Sequence, residues 1–234
     1  MTSELNIVSN NAGNGSTWLS QGFQLFKASP GAWIGTTLLY MLISICVNMV
    51  PFLGAVIGTV LAAFLTGGLM LGCNAQTQGL PFKVDYLFSA FSRQYLALAR
   101  LGLIYLGLLV IAILPIIILG AFVDTKNLTV QQIPVFMVLV LLCIALAIPV
   151  AMGYWLAPAL IVCRGLDAWP AFVLSFHGCL KNILPALIFG LLTFFWTIVA
   201  TLPLLLGWLI LIPTLIAANF AAYQNIFKTE HNLV

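Results

Sequence analysis

Six long apolar runs divide this chain, and shorter polar stretches separate them. The runs cover residues 33–50, 52–72, 96–120, 135–162, 183–201 and 204–223. Because the hydrocarbon core of a bilayer is about 30 Å thick, a helix needs roughly 20 apolar residues to cross it. The pattern therefore predicts an all-α, polytopic integral membrane helical bundle with six transmembrane helices.

Two boundaries between runs depend on a Pro and a Gly in the middle of an apolar stretch too long for one crossing. The two stretches are NMVPFLG around Pro51 and ATLPLLLGW around Pro203. Pro removes an amide donor and Gly tolerates turn conformations, so each stretch predicts a tight helical hairpin. The fourth run contains Pro149 and Pro158, which predict a kink or tilt, or a last turn outside the membrane.

Three shorter segments have the 3.6-residue period of an amphipathic helix. They are TWLSQGFQLFKASPGAW, VDYLFSAFSRQY and WPAFVLSFHGCLKN. We expect each helix to lie in the headgroup plane on the cytoplasmic side, with its apolar face in the hydrocarbon and its polar face in water. In the third segment the apolar face includes Phe172 and Phe176, and the polar face includes Ser175, Gly178 and Lys181.

Each amphipathic segment is followed by two spans, which predicts a threefold internal repeat with units 17–72, 84–162 and 167–223. Together they form a single transmembrane domain over residues 17–227. Residues 1–16 are polar and rich in Asn, Ser and Gly, so we predict a disordered cytoplasmic N-terminus. Residues 228–234 are predicted to be a cytoplasmic tail.

Composition and charge agree with a membrane protein and indicate its orientation. The chain is 63% hydrophobic and 6% charged, which leaves too little polar surface for a soluble fold. With the N-terminus in the cytoplasm, Lys126 is the only one of the eight Lys and Arg residues on the outer side. The positive-inside rule therefore predicts that both termini are cytoplasmic and that residues 121–134 form the only sizeable outer loop.

The sequence contains no pattern that predicts a cofactor or a metal site. Its five cysteines show no C-x-x-C spacing, and we expect them to be reduced thiols. His177 and Cys179 are two residues apart, so on a helix they point about 200° apart and cannot meet at one metal ion. The eight basic residues are scattered singly, which predicts no nucleic-acid binding.

Two sets of polar residues are candidates for binding contacts. The first set lies at the cytoplasmic boundary and could contact lipid headgroups or a partner: Lys27, Arg93, Arg100, Arg164 and Lys181. The second set consists of the intramembrane amides Asn48 and Asn219, which we expect to form hydrogen bonds between helices because an unpaired amide in hydrocarbon is costly. Small residues from Gly54 to Gly72 favour close helix packing. We favour packing within the bundle, and a homo-oligomer interface is the alternative.

Several blocks of the chain resemble a family of uncharacterised bacterial inner-membrane proteins. The blocks are WLSQGFQLFKASPGAW, GGLMLGCNAQTQGLPFKVDYLFSAF, LSFHGCLKNILPALIFGLL and LGWLILIPTLIAANFAAYQNIF. The segment 167–190 is more distantly similar to membrane domains attached to glycerophosphodiester phosphodiesterases. The resemblance implies a bacterial inner membrane location and six spans, and it implies no activity and no catalytic residues.

Three classes of function are consistent with this pattern. An enzyme is the least favoured, because the carboxylates are far apart in sequence and no nucleophile motif is present. The favoured class is a non-catalytic component that organises membrane lipids or a partner protein at the cytoplasmic face. The alternative is a transporter or channel for a neutral or amphipathic small molecule, since the centres of the spans carry no ionisable residue.

Overall fold

The computed structural model describes residues 5–51, 53–122, 133–202 and 206–229, most of which are helical. The elements are β1 Leu5–Ile7, α1 Asn14–Ala28, α2 Pro30–Asn48, α3 Leu53–Thr77, α4 Tyr86–Ser89, α5 Tyr95–Phe122, α6 Ile133–Trp155, α7 Ala157–Arg164, α8 Ala168–Lys181, α9 Ile183–Thr201, α10 Trp208–Ile226 and β2 Phe227–Thr229. Six helical segments are long and apolar enough to cross a membrane: α2, α3, α5, α6 continued by α7, α9 and α10. The predicted all-α helical bundle with six spans is confirmed.

The surface of the bundle is apolar over most of the spans. Large side chains such as Leu141, Leu187 and Leu191 are 64%, 63% and 69% exposed. Such a surface would drive aggregation in water, whereas lipid tails solvate it. The chain is therefore a multi-pass integral membrane protein.

The core lies in the half of the bundle that carries both chain ends, which we call the terminal face. The fully buried large side chains cluster there: Trp18, Trp33, Leu65, Leu69, Met70, Leu87, Leu98, Leu101, Leu156, Leu160, Phe220 and Phe227. Toward the opposite end the side chains are mostly exposed, as in Leu42, Ile45 and Leu202. The helices therefore hold together mainly at the terminal face.

The two strands, β1 near the start of the chain and β2 near its end, pair with each other at this face. β1 and β2 are antiparallel, with Leu5 opposite Thr229 and Ile7 opposite Phe227, and the Val8 amide donates to the Ile226 carbonyl at 2.8 Å. The prediction of a disordered N-terminus is therefore wrong for residues 5–16, because backbone hydrogen bonds and helix α1 order them. Residues 1–4 and 230–234, and most of the predicted outer loop with Lys126, lie outside the described residues.

Helices α1 and α8 form where amphipathic helices were predicted, but the middle segment forms only the short helix α4. The Ser89 hydroxyl donates to the Tyr86 carbonyl at 2.7 Å, and the Ser92 hydroxyl donates to the Ser89 carbonyl at 3.0 Å. Such local bonds compete with helix propagation. The first and third units share a helix of 15 or 14 residues, a one-residue break and a span of 19 residues, which the middle unit lacks.

The orientation predicted for the two longer amphipathic helices is wrong for the residues that pack on the bundle, although Lys27 and Lys181 on the predicted polar sides are exposed. In α8, Ser175 and Gly178 are buried against protein instead of facing water, and Gly178 lies against the Phe227 ring. In α1, Trp18 and Phe26 belong to the core, at 0% and 6% exposure. The small and polar side of α8 packs on the bundle because small residues allow close approach.

The helix of the fourth span is interrupted at one point, and a side chain of α8 forms hydrogen bonds with the backbone groups at the interruption. Pro149 lies inside α6 without ending it. Pro158 lies in the first turn of α7, which begins after a break at Leu156. The Ser175 hydroxyl accepts from the Leu156 amide at 3.1 Å and donates to the Met152 carbonyl at 2.8 Å. These are the two backbone groups that a continuous helix would join directly, so the hydroxyl is inserted into the helical ladder.

Candidate functional site

Three of the five predicted contact residues form hydrogen bonds or an ion pair within the chain. The Lys181 ammonium donates to the Ile7 carbonyl at 2.6 Å. The Arg164 guanidinium donates to the Tyr223 hydroxyl at 3.0 Å and to the Phe227 carbonyl at 3.4 Å, so both residues hold the terminal strands in place. The third, Arg100, forms an exposed ion pair with Asp167, the residue that caps α8.

The remaining two, Lys27 and Arg93, present their charges to the surroundings. The Lys27 ammonium lies 5.0 Å from the centre of the Phe23 ring, within the range of a cation–π interaction. Arg93 is exposed in the turn between α4 and α5, and no side chain among the described residues pairs with it. These two cations are therefore free to meet an anionic group.

Exposed aromatic side chains accompany these cations around the terminal face. We call this set the aromatic belt: Phe23, Phe88, Phe91, Tyr95 and Trp169, which are between 42% and 57% exposed. Two of the rings are fixed by stacking. The ring centres of Phe91 and Phe64 are 4.7 Å apart, and those of Trp169 and Phe172 are 5.9 Å apart. Aromatic rings of this kind are enriched at the level of lipid headgroups.

A buried amide links the terminal strand to the third unit. Asn182, which is 0% exposed, lies in the break between α8 and α9. Its side-chain oxygen accepts from the backbone and side-chain nitrogens of Asn10, at 2.8 and 3.0 Å. Its side-chain nitrogen donates to the carbonyls of Val8 and Gly178, at 2.9 and 3.0 Å. The amide is fully satisfied, and its role is to position the N-terminal segment.

The two predicted intramembrane amides have different partners. The Asn219 oxygen in α10 accepts from the Trp155 indole nitrogen in α6 at 2.8 Å, which is a hydrogen bond between helices. Asn48 donates to the Ser44 carbonyl of its own helix at 2.8 Å and lies against Gly58 of α3. Asn48 therefore packs on a neighbouring helix while its amide nitrogen bonds within α2.

Four hydroxyl side chains lie at mid-depth in the bundle, and no pattern in the sequence predicted them. Tyr40, Thr66, Tyr105 and Tyr154 come from α2, α3, α5 and α6, and the Tyr105 and Tyr154 rings are 4.3 Å apart. Tyr40 lies close to Thr66. Each residue is ten or eleven positions from the terminal-face end of its span, which corresponds to about 15 Å of helix, half of the hydrocarbon thickness. We call this set the hydroxyl cluster.

His177 and Cys179 point in different directions, as predicted from their spacing. His177 is exposed, and its Nδ1 lies 2.8 Å from the Val173 carbonyl oxygen. Cys179 is buried, with its sulfur 3.5 Å from the Met152 carbonyl oxygen, and burial raises the pKa of its thiol to about 12. Within the described ranges no three His, Cys, Asp or Glu side chains converge on a common point.

Comparisons with known proteins place the chain near an inner-membrane protein. It is 25% identical over 205 residues to a probable inner membrane protein of Burkholderia thailandensis, an alignment that covers 81% of this chain and 76% of the relative. No family model matches the chain, and no solved structure matches it. The comparisons support the resemblance to bacterial inner-membrane proteins and give no support to the likeness to phosphodiesterase membrane domains.

Proposed function

We propose that this protein is a non-catalytic component of the bacterial inner membrane that organises lipid at the cytoplasmic face. In this proposal both termini are cytoplasmic, so the terminal face lies at the inner leaflet. The observation that carries the proposal is the aromatic belt together with the two free cations Lys27 and Arg93. The membrane location of the relative supports the choice of membrane.

The physical basis of the proposal is the presence of exposed aromatic rings and exposed cations on the same elements, α1 and the segment from α4 to α5. Aromatic rings anchor at the headgroup level, and a Lys or Arg near an acidic bilayer surface contributes about 1 kcal/mol of attraction. The Lys27 ammonium lies over the Phe23 ring, 5.0 Å from its centre. A lipid phosphate could then be met by the cation while the ring contacts the upper part of the acyl chain.

The test is the amount of acidic phospholipid that co-purifies with the protein in mild detergent, measured by mass spectrometry. We expect the double variant Lys27→Gln, Arg93→Gln to retain several-fold less acidic lipid than the parent protein. Lys83→Gln is the matched control, because Lys83 is also exposed but lies outside the aromatic belt. Equal lipid retention in all three proteins, or an equal loss in the control, would contradict the proposal.

A second candidate function is a transporter or channel for a neutral or amphipathic small molecule. The observation that favours it is the hydroxyl cluster, because transporter binding sites lie near the bilayer midplane and hydroxyls bind uncharged polar groups. In a cysteine-free background, Thr66→Cys should react with a membrane-impermeant thiol reagent if water reaches the cluster. Leu141→Cys, on the lipid-facing surface, is the control that should stay unlabelled. An unreactive Thr66→Cys would count against transport.

A further inference from the structure

Helix α1 is wedged between the terminal-face halves of α9 and α10. Gly15 lies directly on the backbone of α9 at Pro185 and Phe189. Gly22 lies on the backbone of α10, where an added Cβ atom would be 2.5 Å from the Ala218 nitrogen and from the Thr214 oxygen. Only glycine allows this approach at either position, so the sequence of α1 fits both helices at once.

The helices α9 and α10 come together again at the opposite end of the hairpin. There a Cβ atom on Gly207 would lie 2.6 Å from the Ala200 Cα atom. Because α1 separates the two helices at one end and Gly207 joins them at the other, they diverge like the sides of a V. Between them lies a groove with a volume of about 550 Å³.

The walls of this groove are apolar along its length. Leu192, Trp196 and Val199 of α9 form one wall, Ile210 and Leu211 of α10 form the other, and α1 closes the end of the groove. Phe23, Trp196 and Ile210 are 42%, 45% and 46% exposed and form an outward rim. The groove is therefore open sideways, toward the hydrocarbon of the bilayer.

Three hydroxyl groups border the groove, from Ser16, Ser20 and Thr214, and two of them are already paired with their own helices. The Thr214 hydroxyl donates to the Ile210 carbonyl at 2.7 Å, and the Ser16 hydroxyl donates to the Gly13 carbonyl at 2.8 Å. Such groups do not require a polar ligand. The lining therefore suits an apolar ligand better than a hydrated solute.

We propose that the groove is a binding site for one acyl chain of a phospholipid. Its volume lies in the range of about 300–1,000 Å³ that is usual for ligand sites. The wall from Leu192 to Ala200 is about 12 Å long at 1.5 Å per residue, which is close to the depth of one leaflet of the hydrocarbon core, about 15 Å. The site goes beyond the proposed function, because it binds a lipid tail and does not depend on the free cations.

Photo-crosslinking tests this proposal on the full chain in proteoliposomes. The probe is a phosphatidylcholine with a diazirine on one acyl chain, and the crosslinked positions are read by mass spectrometry. We expect crosslinks on α9 at Leu192–Val199 to exceed those on the exposed face of α6 at Leu141 several-fold. Equal crosslinking of the two surfaces would indicate ordinary boundary lipid and would overturn the proposal.

Two variants on different helices test whether filling the groove blocks lipid binding. Because the two substitutions lie on separate helices, a folding defect in one variant does not decide the result. Val199→Phe fills it from α9 and Ser20→Phe from α1, and each should lower crosslinking to the α9 wall several-fold. Ile198→Phe is the matched control, because Ile198 is 51% exposed and does not line this groove. Unchanged crosslinking in both filled variants, or an equal loss in Ile198→Phe, would overturn the proposal. The variant Lys27→Gln, Arg93→Gln should keep its crosslinks, which separates this site from the headgroup proposal.

Discussion

Asn182 holds Asn10 through two hydrogen bonds to the same side-chain oxygen, although the residues are 172 positions apart in the chain. The contact joins the segment before α1 to the break between α8 and α9. Lys181 adds a bond to the Ile7 carbonyl at 2.6 Å. The N-terminal segment is thus fixed to the third unit by two consecutive side chains.

Replacing Asn182 with Ala should release this segment. The change leaves the Asn10 backbone amide without its acceptor and removes the Asn182 amide from the Val8 and Gly178 carbonyls, at a cost of about 1–3 kcal/mol. The Asn10 side-chain nitrogen keeps its longer contacts to the Val8 and Asn225 carbonyls. Hydrogen exchange of the amides at residues 8–10 should accelerate strongly. Asn6→Ala is the control, since Asn6 is exposed in the same segment and should leave exchange unchanged. Equal exchange in both variants would show that Asn182 does not anchor the segment.

Ser175→Ala should destabilise the protein through the fourth span. Its hydroxyl accepts a hydrogen bond from the Leu156 amide and donates one to the Met152 carbonyl, and both groups are inside the bundle. We expect a loss of about 1–3 kcal/mol in the free energy of unfolding, measured by denaturant titration in detergent. Ser92→Ala, at an exposed hydroxyl, should change it by less than about 0.5 kcal/mol. Similar values for the two variants would contradict the inserted-hydroxyl interpretation.

The bond between Trp155 and Asn219 should show up as a coupling energy. A double-mutant cycle with Trp155→Phe and Asn219→Leu isolates it, because each change removes one partner. Hydrogen bonds between transmembrane helices average about 0.6 kcal/mol, with a maximum of about 1.7, so we expect a coupling in this range. Strict additivity of the two changes would indicate that the 2.8 Å contact adds no net stability.

The orientation in the membrane is testable with reporter fusions. A reporter at either terminus should be active in the cytoplasm, and one inserted after residue 127 should be active outside. The physical reason is the charge bias, because seven of the eight Lys and Arg residues would then be cytoplasmic, as the positive-inside rule requires. A cytoplasmic signal after residue 127 would remove the six-span topology.

The Cys179 thiol should resist alkylation in the folded protein. Burial raises its pKa to about 12, above the usual value of about 8.5, so the thiol stays protonated at pH 8 and lacks the reactive thiolate. A protein with Cys179 as its single cysteine should react with a water-soluble maleimide at least tenfold more slowly than one with Ser92→Cys. Denaturation should equalise the two rates. Rapid labelling of folded Cys179 would mean that the α8 contact with α6 opens readily.

The spans could be predicted from the sequence because their signal is local. Each one needs only a sufficient apolar length, and a Pro or Gly marks the turns. Pro158 also marked a disturbance in the fourth span, although the break falls at Leu156 and Pro149 leaves α6 intact. Bilayer thickness and proline geometry act on single segments, so no knowledge of the partner helices is required.

The contacts of Asn10, Ser175 and Gly178 could not be predicted in the same way. A helical wheel separates apolar from polar residues, and we assigned the polar side of α8 to water. In a membrane protein the apolar side can face lipid while the small and polar side packs on neighbouring helices, as Ser175 and Gly178 do. The hydroxyl cluster was missed for a related reason, because its residues come from four spans and share a depth, not a motif.

The paired termini set an order for the biogenesis of this protein. Strand β1 and helix α1 leave the ribosome well before their partners β2, α9 and α10 are synthesised. Contacts between the two ends of a chain form slowly because a long loop must close first. We therefore expect α1, with its core residue Trp18, to dock only after the later spans have been inserted. A chaperone or insertase that shields α1 during this interval would raise the yield of folded protein, and a truncation before α9 would leave α1 without a docking site.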